Sequence, residues 1–386
     1  MRNFVYHTPT ALHFGKGVLS DLPKVLKPYG KRILMTYGGG SIRKIGLYDE
    51  VKRLLSDFEI VELSGIQPNP KYESVVAGAE LCKQHGVDMI LAVGGGSVLD
   101  CSKAISAAAL YDGEPWDLIT YRAKAEKALP LFDILTLAAT GSEYDAGCVI
   151  SRTQTNDKLA YMDELLYPVA SFLDPTYTFS VSKKQTAAGA ADAINHVIEQ
   201  YFCEVHSTLT DGMCEAVIRS LIENAHKALS NPNDEAARGE FMVDCSLACN
   251  GILSVGNSPS EWPCHGMEHA LSAYYDITHG EGLAILTPHW MRHILNGKTR
   301  ERFVRFGTHI FGLNPSGNPD EIAEQTIRKT AELFESFGMP MHLKEVGIDE
   351  SRLEEMARHV ADTEGLEEAW VPLKQEDILK IYQASL

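Results

Sequence analysis

The chain has 386 residues, of which 45% are hydrophobic and 23% charged, as is ordinary for a globular protein. Because this length exceeds the usual size of one core, we expect two domains. The formal net charge of −17 argues against nucleic acid or a membrane surface as a partner, since phosphate groups would be repelled. No apolar run approaches the roughly 18 residues of a membrane span, and the N-terminus lacks the apolar core of a secretory signal. Eight scattered cysteines without a C-x-x-C pair indicate reduced thiols and a cytoplasmic location.

The first half of the chain alternates short apolar strands with helical patterns. Strands are predicted at 31–37, 60–63, 88–93 and 131–135, and helices from the first glycine turn to about Leu55, at 72–85 and at 97–109. Continuous apolar strands that alternate with helices indicate a parallel sheet covered on both faces. We therefore predict a doubly wound, Rossmann-like α/β domain over residues 1–178.

The pattern changes after Leu173-Asp174-Pro175. Strand-like runs nearly vanish, and long helical periodicities are found at 184–201, 208–229 and 319–337. The second domain, residues 179–386, is therefore predicted to be all-helical.

Two Gly-Gly-Gly-Ser runs, Gly38–Ser41 and Gly94–Ser97, each follow a predicted strand and open a helix. Ligands bind at such positions in open α/β sheets, because glycine lets the backbone approach a phosphate and the N–H groups of a helix N-terminus favour an anion. Neither run is the G-x-G-x-x-G fingerprint, so a tight turn between sheet and helix is the alternative. A third loop, 136–143, combines hydroxyls with a glycine and either binds diphosphate or ribose or is a polar turn.

The first glycine run also bears on the choice of dinucleotide. An acidic residue in this position accepts the ribose 2′-hydroxyl of NAD and repels a 2′-phosphate. Here the turn is neutral and is followed by Arg43 and Lys44, whose charges suit a 2′-phosphate. The sequence thus favours NADP(H), with a solvated helix face as the alternative explanation of the two cations.

Histidines and one aspartate in the second half have the spacing of a metal site. Asp192 and His196 lie four residues apart in a helical pattern, so they share one helix face. His265 and His279 lie fourteen apart, with His269 between them. One carboxylate and three imidazoles suit Zn or Fe(II) better than Mg or Ca, which prefer oxygen ligands.

Together these segments resemble the iron-containing (group III) alcohol dehydrogenase family along the whole chain. Gly94–Lys103 is similar to the family's GGGS-x-x-D-x-x-K segment, and His265-x3-His269-x9-His279 is similar to its histidine signature. Residues 10–17 look like its opening hairpin. Further similar blocks are Thr140–Glu143, Leu173–Pro175 and Ala187–Tyr201. The first glycine run makes the chain most similar to the NADPH-dependent butanol dehydrogenase and broad-range aldehyde reductase branch.

This resemblance implies hydride transfer between NADPH and a small aldehyde or primary alcohol, and we also expect a homodimer. It implies Fe(II) or Zn ligation by Asp192, His196, His265 and His279. Cofactor contacts are implied for Gly38, Gly39, Gly40, Ser41, Gly95, Gly96, Ser97, Asp100, Thr136, Thr140, Lys158 and Tyr177. His269 is expected beside the metal and not as a ligand, in a catalytic role that handles the proton. Asp145 departs from the family, which usually carries a neutral residue there.

Three alternatives stay open at this point. His265-x-x-Glu268-His269 spells the H-x-x-E-H motif of zinc hydrolases, in which two histidines bind zinc and the glutamate is the general base. The sister group of glycerol dehydrogenases and dehydroquinate synthase resembles the same fold and typically uses three protein ligands. A nucleotide-binding module without catalysis is the third possibility.

Overall fold

The computed structural model describes residues 1–386, which divide into two compact units. The α/β unit comprises His7–Ser182 and Ser230–Asn250. The helical unit comprises Met1–Tyr6, Lys183–Leu229 and Gly251–Leu386. The division after Ser182 lies close to the boundary predicted between residues 178 and 179. Segment 230–250, which the prediction placed in the helical domain, instead belongs to the α/β unit.

The α/β unit contains a parallel six-stranded sheet and a separate antiparallel hairpin. The strands are β1 (Ala11–Phe14), β2 (Arg32–Tyr37), β3 (Glu59–Leu63), β4 (Met89–Gly95), β5 (Leu131–Leu137), β6 (Gly147–Arg152), β7 (Asp157–Met162) and β8 (Ala170–Leu173). The sheet has the order β1-β8-β5-β4-β2-β3, with every neighbouring pair parallel. β6 and β7 pair antiparallel. The structure confirms the predicted α/β sheet.

Fifteen α-helices complete the chain. They are α1 (Leu22–Leu26), α2 (Ser41–Lys44), α3 (Leu47–Leu54), α4 (Tyr72–His85), α5 (Gly96–Ala108), α6 (Pro115–Ile119), α7 (Lys183–Tyr201), α8 (Thr208–Ser230), α9 (Glu235–Cys249), α10 (Pro263–Tyr275), α11 (His279–Ile294), α12 (Arg300–Phe311), α13 (Pro319–Ser336), α14 (Leu353–Thr363) and α15 (Gln375–Ala384). None of them is both long and apolar enough to cross a bilayer. The helical second half is confirmed.

The core of the α/β unit explains why its central strands are apolar on both faces. On one face, Met35 on β2, Leu91 on β4 and Ile134 on β5 belong to one cluster of fully buried side chains. On the other face, Leu34 and Ile90 are fully buried as well. Each such side chain stabilises the fold by about 2 kcal/mol through removal of apolar surface from water. Continuous apolar strands are therefore the expected sequence of this sheet.

The N-terminal strand differs from the expected hairpin. β1 runs parallel to β8 and has no antiparallel partner. Thr10 donates its hydroxyl to the Pro168 carbonyl (2.6 Å), and the Ala11 N–H donates to Val169 (3.1 Å). These contacts to a segment more than 150 residues away fix the pairing of β1, so the hairpin prediction for residues 10–17 is wrong.

α9 packs within the α/β unit on the short turns that follow β5 and β8. Asp234 caps its N-terminus by accepting from the Ala237 N–H (3.0 Å). Gly239 approaches Phe14 and Pro175 so closely that a Cβ would lie 3.1–3.3 Å from their rings. Ser246, on the same helix, hydrogen-bonds the buried carboxyl of Glu143. These contacts place a helix from the second half of the sequence in the α/β unit.

α7 is the central helix of the helical unit. Every residue from Thr186 to Tyr201 is buried, so this part of α7 has no face exposed to solvent. α11 approaches α7 at Gly280, where a Cβ would lie 2.1 Å from the Ala188 carbonyl oxygen. Glycine is therefore required at this crossing, one residue after His279.

Candidate functional site

Three helices of the helical unit bring the predicted metal ligands together. Asp192 and His196 lie one turn apart on α7, His265 lies near the start of α10, and His279 is the first residue of α11. Pro263 occupies the first turn of α10, where its missing N–H costs no hydrogen bond. We call Asp192, His196, His265 and His279 the acid–histidine cluster.

Distances within the acid–histidine cluster suit a small divalent ion. The Nε2 atoms of His196, His265 and His279 lie 3.5, 3.6 and 3.7 Å from Asp192 Oδ1. A tetrahedral ion with bonds of about 2.1 Å holds its ligand atoms roughly 3.4 Å apart. For Asp192, His265 and His279, every pair of ligand atoms is close, and all three atoms lie within 4.8 Å of one another. His196 approaches Asp192 and stacks on His265 with ring centroids 4.6 Å apart.

Burial without hydrogen bonds is a second sign of a site for an ion. Asp192 Oδ1 and His265 Nε2 are buried and have no hydrogen-bond partner in the chain. Such atoms are rare because an unsatisfied buried polar group is costly. A cation bound between them would satisfy both, so the residues present fit a divalent metal.

Electrostatics in the cluster follow from burial and close charges. Burial alone would raise the pKa of Asp192, but the imidazoles of His196, His279 and His265 outweigh it and lower this pKa. Burial lowers the pKa of His196 to about 3 despite Asp192, which keeps this ring neutral. For His265 burial is outweighed by Glu199 and Asp192, which raise its pKa to about 9. A metal would therefore displace a proton from His265, because only neutral imidazole is a ligand.

The ring of Trp262 covers one side of the cluster. It is nearly perpendicular to the rings of His196 and His265, with centroids 5.8 and 5.2 Å away. Trp262 has φ of 51°, a left-handed conformation that is unusual for a bulky residue and disfavoured before proline. Such strain is typical of functional sites.

His269 lies one turn after His265 on α10 and is buried. Its ring stacks on His279 with centroids 5.9 Å apart, and its Nδ1 lies 3.4 Å from Glu364 Oε1. Like His196, it lies outside the group of mutually close ligand atoms formed by Asp192, His265 and His279, but its ion pair is with Glu364 and not with Asp192. A position beside that group suits the expected proton transfer, which stays a prediction.

The geometry does not support the zinc-hydrolase alternative. Glu268 is fully buried, and its two carboxylate oxygens are hydrogen-bonded by His279 Nδ1 and by the Ser272 hydroxyl. A general base needs an oxygen available to water. In this chain Glu268 instead hydrogen-bonds Nδ1 of the candidate metal ligand His279.

Sequence reasoning missed two carboxylates next to these histidines. Glu199 hydrogen-bonds His265 Nδ1, and Glu364 contacts His269. The position of Glu199, one helical turn after His196, was a signal that could have identified it. Glu364 follows α14 and carried no such signal.

The predicted cofactor residues of the α/β unit line one edge of its sheet. β2, β4 and β5 are adjacent, and their carboxyl ends carry a set that we call the glycine edge: Gly38, Gly39, Gly40, Ser41, Gly95, Gly96, Ser97, Thr136 and Thr140. No atom lies within 4 Å of a Cβ built at Gly39 or Gly40. The backbone there is open to a ligand, and α5 begins at Gly96 with N–H groups suited to a phosphate. These residues fit a dinucleotide, whose contacts with them stay a prediction.

Three further predicted cofactor residues are engaged within the chain. Asp100 accepts from the Ser142 hydroxyl (2.7 Å) and the Val149 N–H (3.0 Å). Burial raises the pKa of Asp100 to about 6 although Lys103 opposes the shift. Tyr177 donates to Glu50 (3.2 Å). Lys158 is buried on β7. Direct contact of these side chains with a cofactor stays a prediction.

Asp145, which departs from the family pattern, has a clear partner. The Lys103 ammonium is fully buried and donates to Asp145 Oδ1 at 2.6 Å. It also donates to the carbonyls of Asp145 (3.0 Å) and Gly147 (2.7 Å). Asp145 is therefore the counterion of a buried lysine and holds the segment before β6.

Arg43 is less available to a phosphate than the sequence indicated. Its guanidinium lies 3.6 Å above the Tyr48 ring and donates to the Tyr37 hydroxyl at 2.8 Å. Glu62 Oε2 lies 3.7 Å from it, although the arginine side chain remains half exposed. The Glu62 carboxylate thus offsets part of the charge on which the NADP(H) prediction depended.

Comparison with known proteins identifies the family of the chain. The family model described as iron-containing alcohol dehydrogenase matches residues 9–175, and the C-terminal model of the Fe-containing alcohol dehydrogenase family matches residues 186–386. The chain belongs to the iron-containing alcohol dehydrogenase family.

Individual relatives and solved structures resemble the chain over nearly its full length. The chain is 46% identical to NADH-dependent butanol dehydrogenase A of Clostridium acetobutylicum, with all of both chains covered. It is 38% identical to the NADPH-dependent aldehyde reductase YqhD of Escherichia coli, over 92% of this chain and 91% of that protein. The crystal structure of NADH-dependent butanol dehydrogenase A from Thermotoga maritima matches with a TM-score of 0.96 at 37% identity, covering 100% of this chain and 99% of that one. The protein is thus an alcohol dehydrogenase or aldehyde reductase, and relatives of both cofactor types resemble it.

Proposed function

We propose that this protein transfers hydride between NADP(H) and a small aldehyde or primary alcohol, with a divalent metal in the acid–histidine cluster. The observation that carries this proposal is the convergence of three imidazole Nε2 atoms within 3.5–3.7 Å of one buried carboxylate oxygen. The open backbone at Gly39 and Gly40 supports a dinucleotide. The activities for which the butanol dehydrogenase and aldehyde reductase relatives are named support the substrate class.

Each part of the reaction has residues suited to it. A divalent ion in the cluster supplies Lewis acidity toward a carbonyl oxygen, worth several kcal/mol in the transition state. The nicotinamide supplies the hydride. Asp192 contributes a negative charge and the three imidazoles contribute neutral donors, and all four side chains are largely buried. His269, whose Nδ1 lies 3.4 Å from Glu364 Oε1, handles the proton that completes the alcohol product.

The mixed carboxylate and imidazole set accepts either Fe(II) or Zn. Metal analysis of the purified protein by plasma mass spectrometry should find close to one ion per chain. Activity with an aldehyde panel should disappear after chelation and return when Fe(II) or Zn is added. A metal-replete protein that oxidises neither NADPH nor NADH with any small aldehyde would contradict the proposal and favour a binding module.

His269 offers a test of the proton route. His269→Ala should lower turnover while the metal content of the protein persists, because the imidazole is placed beside the ligand group and not within it. Loss of metal from this variant would make His269 a ligand, and unchanged turnover would assign the proton to another donor.

The preference for NADP(H) is proposed from the neutral Gly38–Ser41 turn and the exposed cations Arg43 and Lys44. The values of kcat/KM measured in parallel should be higher with NADPH than with NADH. Arg43→Ala should reduce only the NADPH value, by about tenfold for one lost charged phosphate contact. Equal or greater wild-type activity with NADH would contradict this preference. The cytoplasmic location and the homodimer also stay predictions.

A further inference from the structure

Two of the three imidazoles in the acid–histidine cluster have a buried carboxylate behind them. Glu199 Oε2 hydrogen-bonds His265 Nδ1, and Glu268 Oε2 hydrogen-bonds His279 Nδ1. Glu268 is fully buried and Glu199 is 2% exposed. The third imidazole differs, because His196 Nδ1 is buried without a hydrogen-bond partner. The carboxylates therefore single out His265 and His279.

Each carboxylate is itself fixed by a second hydrogen bond. Glu199 extends from α7 to the start of α10, where its Oε1 accepts from the Cys264 N–H at 2.6 Å. Glu268 extends from α10 to the first residue of α11, and its Oε1 accepts from the Ser272 hydroxyl. Both carboxylates thus connect two helices at the residue that offers Nε2 to the cluster.

The hydrogen bonds determine which ring nitrogen is available. A carboxylate cannot donate, so His265 and His279 each carry a proton on Nδ1. With Nδ1 protonated, the lone pair of a neutral ring is on Nε2, the atom that lies 3.6 or 3.7 Å from Asp192. The carboxylates therefore select the tautomer and the ring orientation that a metal requires.

We propose that Glu199 and Glu268 are positioning residues that give the metal site its affinity. This inference rests on the metal site of the proposed function and assigns a role to two residues beyond the four ligands. Their negative charges add to that of Asp192 around a divalent ion, and the hydrogen bonds raise the basicity of both imidazoles. Loss of such an outer partner typically weakens metal affinity by 10–100-fold.

A third carboxylate provides a matched control. Glu364 contacts His269 Nδ1 at 3.4 Å, in the same helical unit, and its side chain is 18% exposed. His269 is not one of the proposed ligands. Glu364→Gln therefore removes one negative charge beside a neighbouring histidine and leaves the hydrogen bonds of the proposed ligands unchanged. Its metal affinity should stay within about threefold of wild type, below the smallest effect expected at an outer partner.

Glu199→Gln and Glu268→Gln should weaken metal affinity to different extents. Glu199 accepts from two donors, His265 Nδ1–H and the Cys264 N–H, and a glutamine side chain can accept only one of them. Glu268 faces a hydroxyl, which can accept from a glutamine amide and donate to the Ile277 carbonyl 3.3 Å away. Glu199→Gln should therefore weaken affinity more than Glu268→Gln.

The decisive measurement is zinc affinity of the metal-free protein, by competition with a chromophoric chelator, for wild type and the three variants. Dissociation constants should rise 10–100-fold for Glu199→Gln and Glu268→Gln, in that order of severity. In the zinc-loaded wild type, NMR with nitrogen-15 labelling should show the Nδ1–H protons of His265 and His279 shifted downfield by their carboxylate hydrogen bonds. Each shift should shrink in the matching glutamine variant, while the Nδ1–H of His196 stays unchanged in both, a signature that a merely structural role would not produce. Circular dichroism of the metal-free variants controls for folding, and Glu268→Gln keeps the test valid if Glu199→Gln does not fold.

The possible failures are distinguishable. Wild-type protein that binds no zinc or iron would remove the metal site and with it the proposed function. Wild-type protein that binds one ion, with both glutamine variants within threefold of its affinity, would overturn the positioning role alone. An equal loss of affinity in Glu364→Gln would also overturn it, because the effect would then be one of general charge.

Discussion

Replacement of Asp145 by asparagine should destabilise the α/β unit, because it removes the counterion of a buried lysine. Lys103 is fully buried, and its ammonium lies 2.6 Å from Asp145 Oδ1. Burial would lower the pKa of Lys103, but Asp145 and Asp100 outweigh it and raise this pKa, so the lysine remains charged. Asp145→Asn keeps the shape of the side chain and removes its charge.

The size of the effect can be worked out from the contacts. At 2.6 Å and an effective dielectric constant of about 20, the two charges attract by about 6 kcal/mol before desolvation is counted. The asparagine oxygen, two backbone carbonyls and the charge of Asp100 remain near Lys103. We therefore expect a loss of about 3 kcal/mol, the lower end for a broken buried pair. For a unit of about 200 residues this lowers Tm by roughly 6–12 °C.

Urea unfolding followed by circular dichroism would measure this loss, with the exposed Asp112→Asn as a matched control expected to change stability by less than about 0.5 kcal/mol. The double variant Lys103→Met/Asp145→Asn should recover most of the stability, since apolar replacement of a buried pair is often neutral. An Asp145→Asn protein within about 0.5 kcal/mol of wild type would refute the reasoning. So would a double variant no more stable than the single one.

Three further predictions concern pH, a buried arginine and the metal. Burial raises the pKa of Glu143 from 4.5 to about 7, although the hydrogen bond from Ser246 opposes the shift. The contribution of Glu143 to the free energy of unfolding is therefore complete below pH 4.5. It is lost, by up to about 3 kcal/mol, as pH rises through 7. Urea midpoints from pH 5 to 8 should fall less steeply in Glu143→Gln, and identical slopes would contradict this. Arg302 donates two hydrogen bonds to the buried Asp211 carboxylate (2.8 and 2.9 Å), so Arg302→Ala should lower the unfolding free energy by about 3 kcal/mol, and a loss below about 1 kcal/mol in urea unfolding would argue against it. After a chelator has removed metal, addition of zinc or Fe(II) at 100 times the wild-type Kd should raise the free energy of unfolding by about 2.7 kcal/mol, as measured by thermal unfolding. An equal gain in Asp192→Asn at the same metal concentration would show that the ion binds elsewhere.

Local patterns predicted the central strands and several of the long helices of the fold. The helix expected at 72–85 forms over Tyr72–His85, and the apolar runs at 31–37 and 88–93 become the central strands β2 and β4. Pairings between distant segments were less accessible. The parallel pairing of β1 with β8 and the packing of α9 on the α/β unit depend on partners far away in sequence, which periodicity does not specify.

The candidate site shows the same division between local and distant information. Helical spacing alone placed Asp192 and His196 on one face, and the family signature added His265 and His279. The carboxylates behind the histidines were not foreseen. Glu199 lies 66 positions from its histidine and Glu364 lies 95 positions from His269, so no short motif contains either pair.

The membership of α9 in the α/β unit has a consequence for how this protein forms during synthesis. The chain passes between its two units four times, at residues 6, 182, 229 and 250. Domains usually fold in order as they leave the ribosome. Here the sheet is complete by Leu173, yet the buried carboxyl of Glu143 has no hydrogen-bond partner on α9 until Ser246 has been translated. The α/β unit can therefore complete its folding only after Lys183–Leu229, a segment of the helical unit, has been synthesised.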